Sequence, residues 1–256
     1  MKLYIGMCAF NSGPIIEAAI RSTYAYAEQI IVVDGSAFGP STDETAKIAQ
    51  NIGPKVRLVQ GTFKITSSSE DAHRMPLGAW AESDSRKAYK ELLPFGCDNW
   101  VLIQDSDEVW DDENMERLLK YIEVADSMTW AFTTSMFHFW IDAKHIRTGG
   151  IFNAHRPLGV NRIIPEQSDF KRIPLDDVKF YHYGHALSTE RKRFKVRQYL
   201  ERGDYIPMGY GIDEWDRFYR EYWTPWETDF NIPGVVPFTG EHPSEVCKIM
   251  DKIWTT

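Results

Sequence analysis

Four apolar runs, separated by stretches of helical periodicity, constrain this chain more than any other feature. The runs are KLYIGMCAF (2–10), QIIVVDGS (29–36), KVRLVQG (55–61) and NWVLIQ (99–104). They are short and nearly continuous in apolar residues, which is the pattern of strands buried on both faces. The stretches between and after them carry apolar residues at helical spacing: IIEAAIRSTYAYA (15–27), STDETAKIAQNIG (41–53), AESDSRKAYKELLP (81–94) and DENMERLLKYIEVA (112–125). Pro14 suits a first helical turn, with Ser12 or Asn11 as cap. Ser41 and Glu44 have capping-box spacing, and Gly53 closes that helix. Strand–helix–strand units of this length predict an α/β fold with a mostly parallel sheet flanked by helices. Ligands of such sheets bind beyond the carboxyl ends of the strands, where Asp34 and Asp105 fall.

The second half has a different texture. MTWAFTTSMFHFWID (128–142) has strand composition, GGIFNAHRPLGVNRII (149–164) carries turns and short strands, and VKFYHYGHALS (178–188) predicts a strand running into a turn. TERKRFKVRQYLERG (189–203) predicts a helix, and the aromatic, Pro- and Gly-rich tail resists assignment. Residues 1–125 are therefore expected to form one half of a single domain, and 126–256 an irregular second half.

Composition narrows the function classes. The formal net charge of −8 is unlike that of a general nucleic-acid binder, whose affinity rests on neutralising phosphates. No apolar run approaches the roughly 20 residues that span a bilayer, so no transmembrane segment is expected. The apolar stretch in MKLYIGMCAFNSGP is too short for a signal peptide. Three widely spaced cysteines, Cys8, Cys97 and Cys247, suggest neither a disulfide framework nor a zinc cluster; a reducing cytoplasm is the expected compartment. Nine tryptophans and an aromatic content of 14% offer ring faces for sugars as well as for core packing.

The fourth run ends abruptly in QDSDEVWDDE. Asp105 and Asp107 stand one residue apart, and Glu108, Asp111, Asp112 and Glu113 follow. Like charges this close repel unless a cation offsets them. In an extended segment residues i and i+2 point the same way, so Asp105 and Asp107 would form a hard-oxygen site for Mn²⁺ or Mg²⁺ with room for phosphate oxygens. Asp111, Asp112 and Glu113 also suit a helix N-terminus, where the macrodipole favours negative charge.

These segments, in this order, resemble the inverting, family 2-like nucleotide-sugar glycosyltransferases of the GT-A (Rossmann-like) fold. The resemblance lies in IGMCAFNSGPIIEAAIRS, IIVVDGS followed by STDET after a short AFGP insert, AESDSRKAY and QDSDE, over about 110 residues. It makes 1–125 the nucleotide-sugar-binding half and 126–256 the acceptor half. It implies that Asp34 holds the nucleoside, with Ala9, Phe10, Asn11, Ser36, Arg86 and Ser106 beside the sugar nucleotide. It implies further that Asp105 lies near the ribose or metal and that Asp107 ligates the metal. FYHYGHA (180–186) is similar to a segment whose histidine faces the aspartates in some members. There His182 matches as a third metal ligand, and His185 stands where an aromatic residue is common. His138, His145 and His155 have no such pattern.

The expected chemistry is metal-dependent transfer of a sugar from a nucleoside-diphosphate sugar, UDP-linked by family analogy, to an acceptor hydroxyl. The acceptor is left open among a glycan, a lipid-linked sugar, a protein and a modified nucleic-acid base. A carboxylate of the second half would take the acceptor proton, with Asp142, Glu166, Asp176 and Asp177 as the candidates. The basic run ERKRFKVR (190–197) could stabilise a leaving diphosphate or form a solvated helix face. Two other functions use comparable sheets. A sugar-phosphate nucleotidyltransferase would place a glycine-rich basic loop after the first strand, and CAFNSGP has one glycine and no Lys or Arg. A non-catalytic carbohydrate-binding protein would have no need of the aspartate pair.

Overall fold

The computed structural model describes residues 1–36, 39–63, 84–148, 159–163, 169, 171–186, 217, 220–221, 231 and 233–250. Glu166, His155 and the basic run 190–197 lie outside the described residues. In chain order the elements are β1 (Lys2–Ala9), α1 (Gly13–Tyr24), β2 (Gln29–Ser36), α2 (Thr45–Asn51), β3 (Val56–Thr62), α3 (Asp84–Lys90), β4 (Gly96–Asp105), β5 (Glu108–Val109), α4 (Asp112–Glu123), β6 (Thr129–Trp140), β7 (His145–Arg147), β8 (Val160–Ile163), β9 (Lys171–His185), β10 (Val235–Pro237) and α5 (Ser244–Cys247).

The four apolar runs form the parallel part of the sheet, in the order β4–β1–β2–β3. Side chains alternate across it, so β1 feeds two cores. Leu3, Ile5, Met7 and Ala9 face a cluster built with Ile15, Ile16, Ala19 and Ile20 of α1 and Met115, Leu118 and Ile122 of α4. Tyr4 faces the other way, with Ile31, Val33 and Val101, onto Tyr89 and Leu93 in and beyond α3. Ile5 and Met7 are fully buried, and each such side chain contributes about 1.5–3 kcal/mol by leaving water. Gly6 is where the second face needs room: a Cβ there would lie 2.6 Å from the Tyr89 ring. The expected α/β class forms, with mostly parallel strands near the N-terminus flanked by helices.

The second half is more regular than expected. β8 pairs antiparallel to both β4 and β6, and β9 runs parallel to β6, so one sheet continues across both halves. β9 is 15 residues long and starts well before the predicted position. Its pairing with β6 shifts register between Thr134 and Ser135, which lets the Asp176–Asp177 step bulge outward. β5 then pairs antiparallel to β9 with Glu108 opposite His182. That pairing carries the His segment to the end of β4. Among the described residues no helix is long and apolar enough to cross a membrane.

α2 begins at Thr45 and not at Ser41, and no side chain caps it in the capping-box manner. The reason is local competition: the polar side chains of 41–43 are used in a loop network that joins β2 to the end of β1.

Candidate active site at the carboxyl ends of β1, β2 and β4

Asn11 ends the turn after β1 with φ of 45°. This left-handed conformation is tolerated best by Gly and Asn. The Asn11 carboxamide oxygen accepts from the Thr42 amide at 2.8 Å, and the Asn11 amide donates to Ser41 Oγ at 2.7 Å. Thr45 Oγ1 accepts from the amides of Ser12 and Gly13 at 2.7 and 3.0 Å. The Ala9–Phe10–Asn11 loop is thereby fixed onto the loop that leads into α2. Asp34 is fully buried. Ser41 Oγ donates to its Oδ1, and Gln60 Nε2 donates to its Oδ2 at 2.9 Å. Its carboxylate thus braces the 39–45 loop against β3. The Ser36 amide donates to the Gly39 carbonyl at 2.9 Å, and the Gly39 amide donates back to the Ser36 carbonyl at 3.2 Å.

Asp105 and Asp107 do not share a direction. Residues 106 and 107 lie in a turn between β4 and β5, so the i, i+2 rule of an extended chain does not apply. Asp105 turns to Arg86 of α3, whose Nη2 donates to its Oδ1 at 3.0 Å. Burial opposes the Arg86 charge, and the adjacent Asp105 carboxylate outweighs it, holding the Arg86 pKa above its ordinary value. Ser106 Oγ lies 2.6 Å from Ser12 Oγ and links this turn to the β1 loop. The turn is also held from beneath. Glu108 Oε2 accepts from the Asp105 amide at 2.9 Å. Buried Gln104 donates to the Glu108 carbonyl at 2.7 Å and to the Ala19 carbonyl of α1 at 3.0 Å.

Asp107 faces the second half. Its Oδ1 lies 3.5 Å from His182 Nε2, and its backbone carbonyl accepts from the Tyr183 amide at 2.9 Å. His182 in turn lies on His138, with 2.8 Å between their Nδ1 atoms and 4.7 Å between ring centroids. His185 stacks on the buried Trp140 at 4.7 Å. Phe139 stacks on Tyr183 at 4.6 Å, and the Tyr183 hydroxyl lies 2.8 Å from His242 Nδ1. Burial raises the Tyr183 pKa and lowers that of His242, favouring the neutral form of each. Among the described residues no three His, Cys, Asp or Glu side chains form a ready-made metal shell. Asp107 and His182 offer one carboxylate and one imidazole. That donor pair suits Mn²⁺ and would leave the other coordination positions to phosphate oxygens and water.

The candidate bases part company. Asp176 and Asp177 sit on the bulge of β9 about 16–20 Å of strand before His182, taking about 3.3 Å per residue. Asp177 is held there by the Tyr121 hydroxyl at 3.1 Å and by Arg117, which donates to its carbonyl at 2.9 Å. Asp142 follows β6 at the end where Trp140 pairs with His185. It accepts from the Lys144 amide at 2.8 Å and lies 2.8 Å from His145 Nδ1.

Sequence reasoning passed over His138, Gln104 and Glu108. A signal for His138 is present in the chain: FHF (137–139) and YHY (181–183) are both aromatic–His–aromatic triplets. They pair in register, Phe137 with Tyr181 and His138 with His182. Gln104 and Glu108 had no comparable signal, since a polar residue at a strand end is ordinary.

No protein-family model and no curated protein matches the sequence. Among solved structures, the chain is similar to glucosyl-3-phosphoglycerate synthase from Mycobacterium tuberculosis, in complex with Mn²⁺, UDP-glucose and phosphoglyceric acid. Identity there is 18%, over 54% of this chain and 44% of that one, with a TM-score of 0.35. It is also similar to residues 1–349 of S. aureus TarS, at 15% identity over 91% of this chain and 75% of that one, with a TM-score of 0.45. The chain thus spans under half of the synthase's length and three-quarters of the TarS fragment's.

Proposed function

We propose that this chain is a metal-dependent glycosyltransferase that moves a sugar from a nucleoside-diphosphate sugar, UDP-linked as the first case, to an acceptor hydroxyl. One observation carries the reading. The loops that end β1, β2 and β4 are joined by side-chain hydrogen bonds, and β9 brings His182 to the Asp107 carboxylate. The nucleoside would lie against the Asn11 and Ser36 loops that Asp34 braces. The diphosphate would lie toward Asp107, with residues 1–125 serving the donor and the remainder serving the acceptor. Asp107 and His182 would hold a divalent cation, which when bound offsets charge on a departing diphosphate. Arg86 fixes Asp105 at the floor of this site through their ion pair. Asp142 is the proposed base, because among the described candidates it alone sits at the same end of the sheet as His182. His145 beside it would orient the carboxylate.

The test measures nucleoside-diphosphate release from a panel of UDP-, GDP- and dTDP-sugars with and without Mn²⁺, on wild type and on Asp142→Asn. Wild type should release one diphosphate in the presence of Mn²⁺ and lose that activity in EDTA. Asp142→Asn should slow turnover by about 10²–10⁴-fold, the usual worth of a general base, with the donor KM little changed. Absence of release from every sugar nucleotide, with or without candidate acceptors, would count against the transferase. Binding without any turnover would favour a carbohydrate-binding role instead.

A further inference from the structure

We infer that His138 is a positioning residue for His182. It accepts the Nδ1–H of His182 and so leaves the His182 Nε2 lone pair turned toward Asp107. The inference extends the proposed metal site to a residue that does not itself touch the ligand.

The geometry supplies the argument. A 2.8 Å approach between two ring nitrogens is a hydrogen bond, and such a bond between neutral imidazoles needs one N–H and one lone pair. On the other side, His182 Nε2 stands 3.5 Å from Asp107 Oδ1, beyond ordinary hydrogen-bond range. A cation shared by His182 Nε2 and the Asp107 carboxylate needs the Nε2 lone pair, which places the His182 proton on Nδ1, where His138 Nδ1 lies within hydrogen-bond reach. His138 then accepts at Nδ1 and carries its own proton on Nε2. His138 is itself held firmly: it is 3% exposed, lies 5.7 Å from the Trp140 ring and 5.2 Å from the His185 ring, and sits in β6 directly opposite His182 in register. A ring locked in this way fixes both the tautomer and the plane of the ring it bonds to. Outer partners of ligating histidines commonly act in this manner.

The experiment has two arms on the full chain. The first records long-range ¹H–¹⁵N correlations of the histidine rings without metal, at a pH where His182 is neutral. Wild type should show His182 protonated at Nδ1. His138→Phe keeps a flat ring in the stack but removes the acceptor, and should shift His182 toward the Nε2–H form. His138→Asn restores an acceptor near the Nδ1 position and should restore the wild-type pattern. The second arm measures the Mn²⁺ dissociation constant by electron paramagnetic resonance: about 10–100-fold weaker in His138→Phe, and largely recovered in His138→Asn. A wild-type His182 protonated at Nε2 overturns the inference. So does a His138→Phe variant whose His182 tautomer is unchanged. The first arm requires neither metal nor sugar nucleotide, so a wild type that binds no Mn²⁺ would sink the transferase reading while the ring spectra still decide the role of His138.

Discussion

Asp107→Asn is expected to lower Mn²⁺-dependent turnover by about 10²–10³-fold, which corresponds to losing roughly 3–4 kcal/mol of charge stabilisation at the metal. Folding should be almost unaffected. The Asp107 contact that holds the turn is made by the backbone, through its carbonyl and the Tyr183 amide, and the turn rests on Gln104 and Glu108 beneath it. An Asn side chain has the same shape and removes one of several crowded negative charges. The melting temperature of the metal-free protein should therefore hold or rise slightly, because like-charge repulsion with Asp105 and Glu108 is relieved. Turnover with saturating Mn²⁺ and scanning calorimetry together read both effects. Wild-type turnover in this variant would remove Asp107 from the site. A collapse in melting temperature would reassign it to a structural role.

A large stability effect is expected at Gly35, between Asp34 and Ser36. Gly35 has φ of 154°, and a Cβ there would stand 2.1 Å from the Gly61 carbonyl oxygen and 2.9 Å from the Phe63 ring. The obstacle at 2.1 Å is backbone of the paired strand, since Gly35 lies opposite Gly61 and Asp34 opposite Gln60. It cannot rotate away as a side chain could. Gly35→Ala should cost about 3 kcal/mol through overpacking and backbone strain. For a chain of this size that lowers the melting temperature by roughly 6–12 °C. Because relief requires β2 and β3 to separate, the Asp34–Gln60 hydrogen bond should loosen and donor affinity should fall as well. A loss under about 1 kcal/mol would mean that the two strands are not this close.

The parallel strands were legible because they are buried on both faces, and continuous apolar runs such as QIIVVDGS have no other inexpensive fate in water. Side-chain competition was not legible. Ser41 and Glu44 have capping-box spacing, yet Ser41 bonds Asp34 from a distant strand, and α2 starts four residues later. The aspartate pair stands out in the sequence by position and charge, but the shared direction expected of it does not form: a turn at 106–107 sends Asp105 to Arg86 and Asp107 to His182. Asp176 and Asp177 read as base candidates only while the bulge in β9 was unknown. The FHF and YHY triplets around His138 and His182 acquire meaning only when the two strands that carry them are known to pair in register.

In the proposed site, Asp107 and His182 hold one divalent cation against a nucleoside diphosphate. This arrangement is tested most directly by pulsed electron paramagnetic resonance of Mn²⁺ bound to the protein with UDP, using ¹⁵N-histidine labelling. One imidazole nitrogen coupling is expected together with ³¹P couplings, and loss of the nitrogen coupling in His182→Ala. Phosphorus couplings with no nitrogen, or a nitrogen signal that survives His182→Ala, would contradict this arrangement.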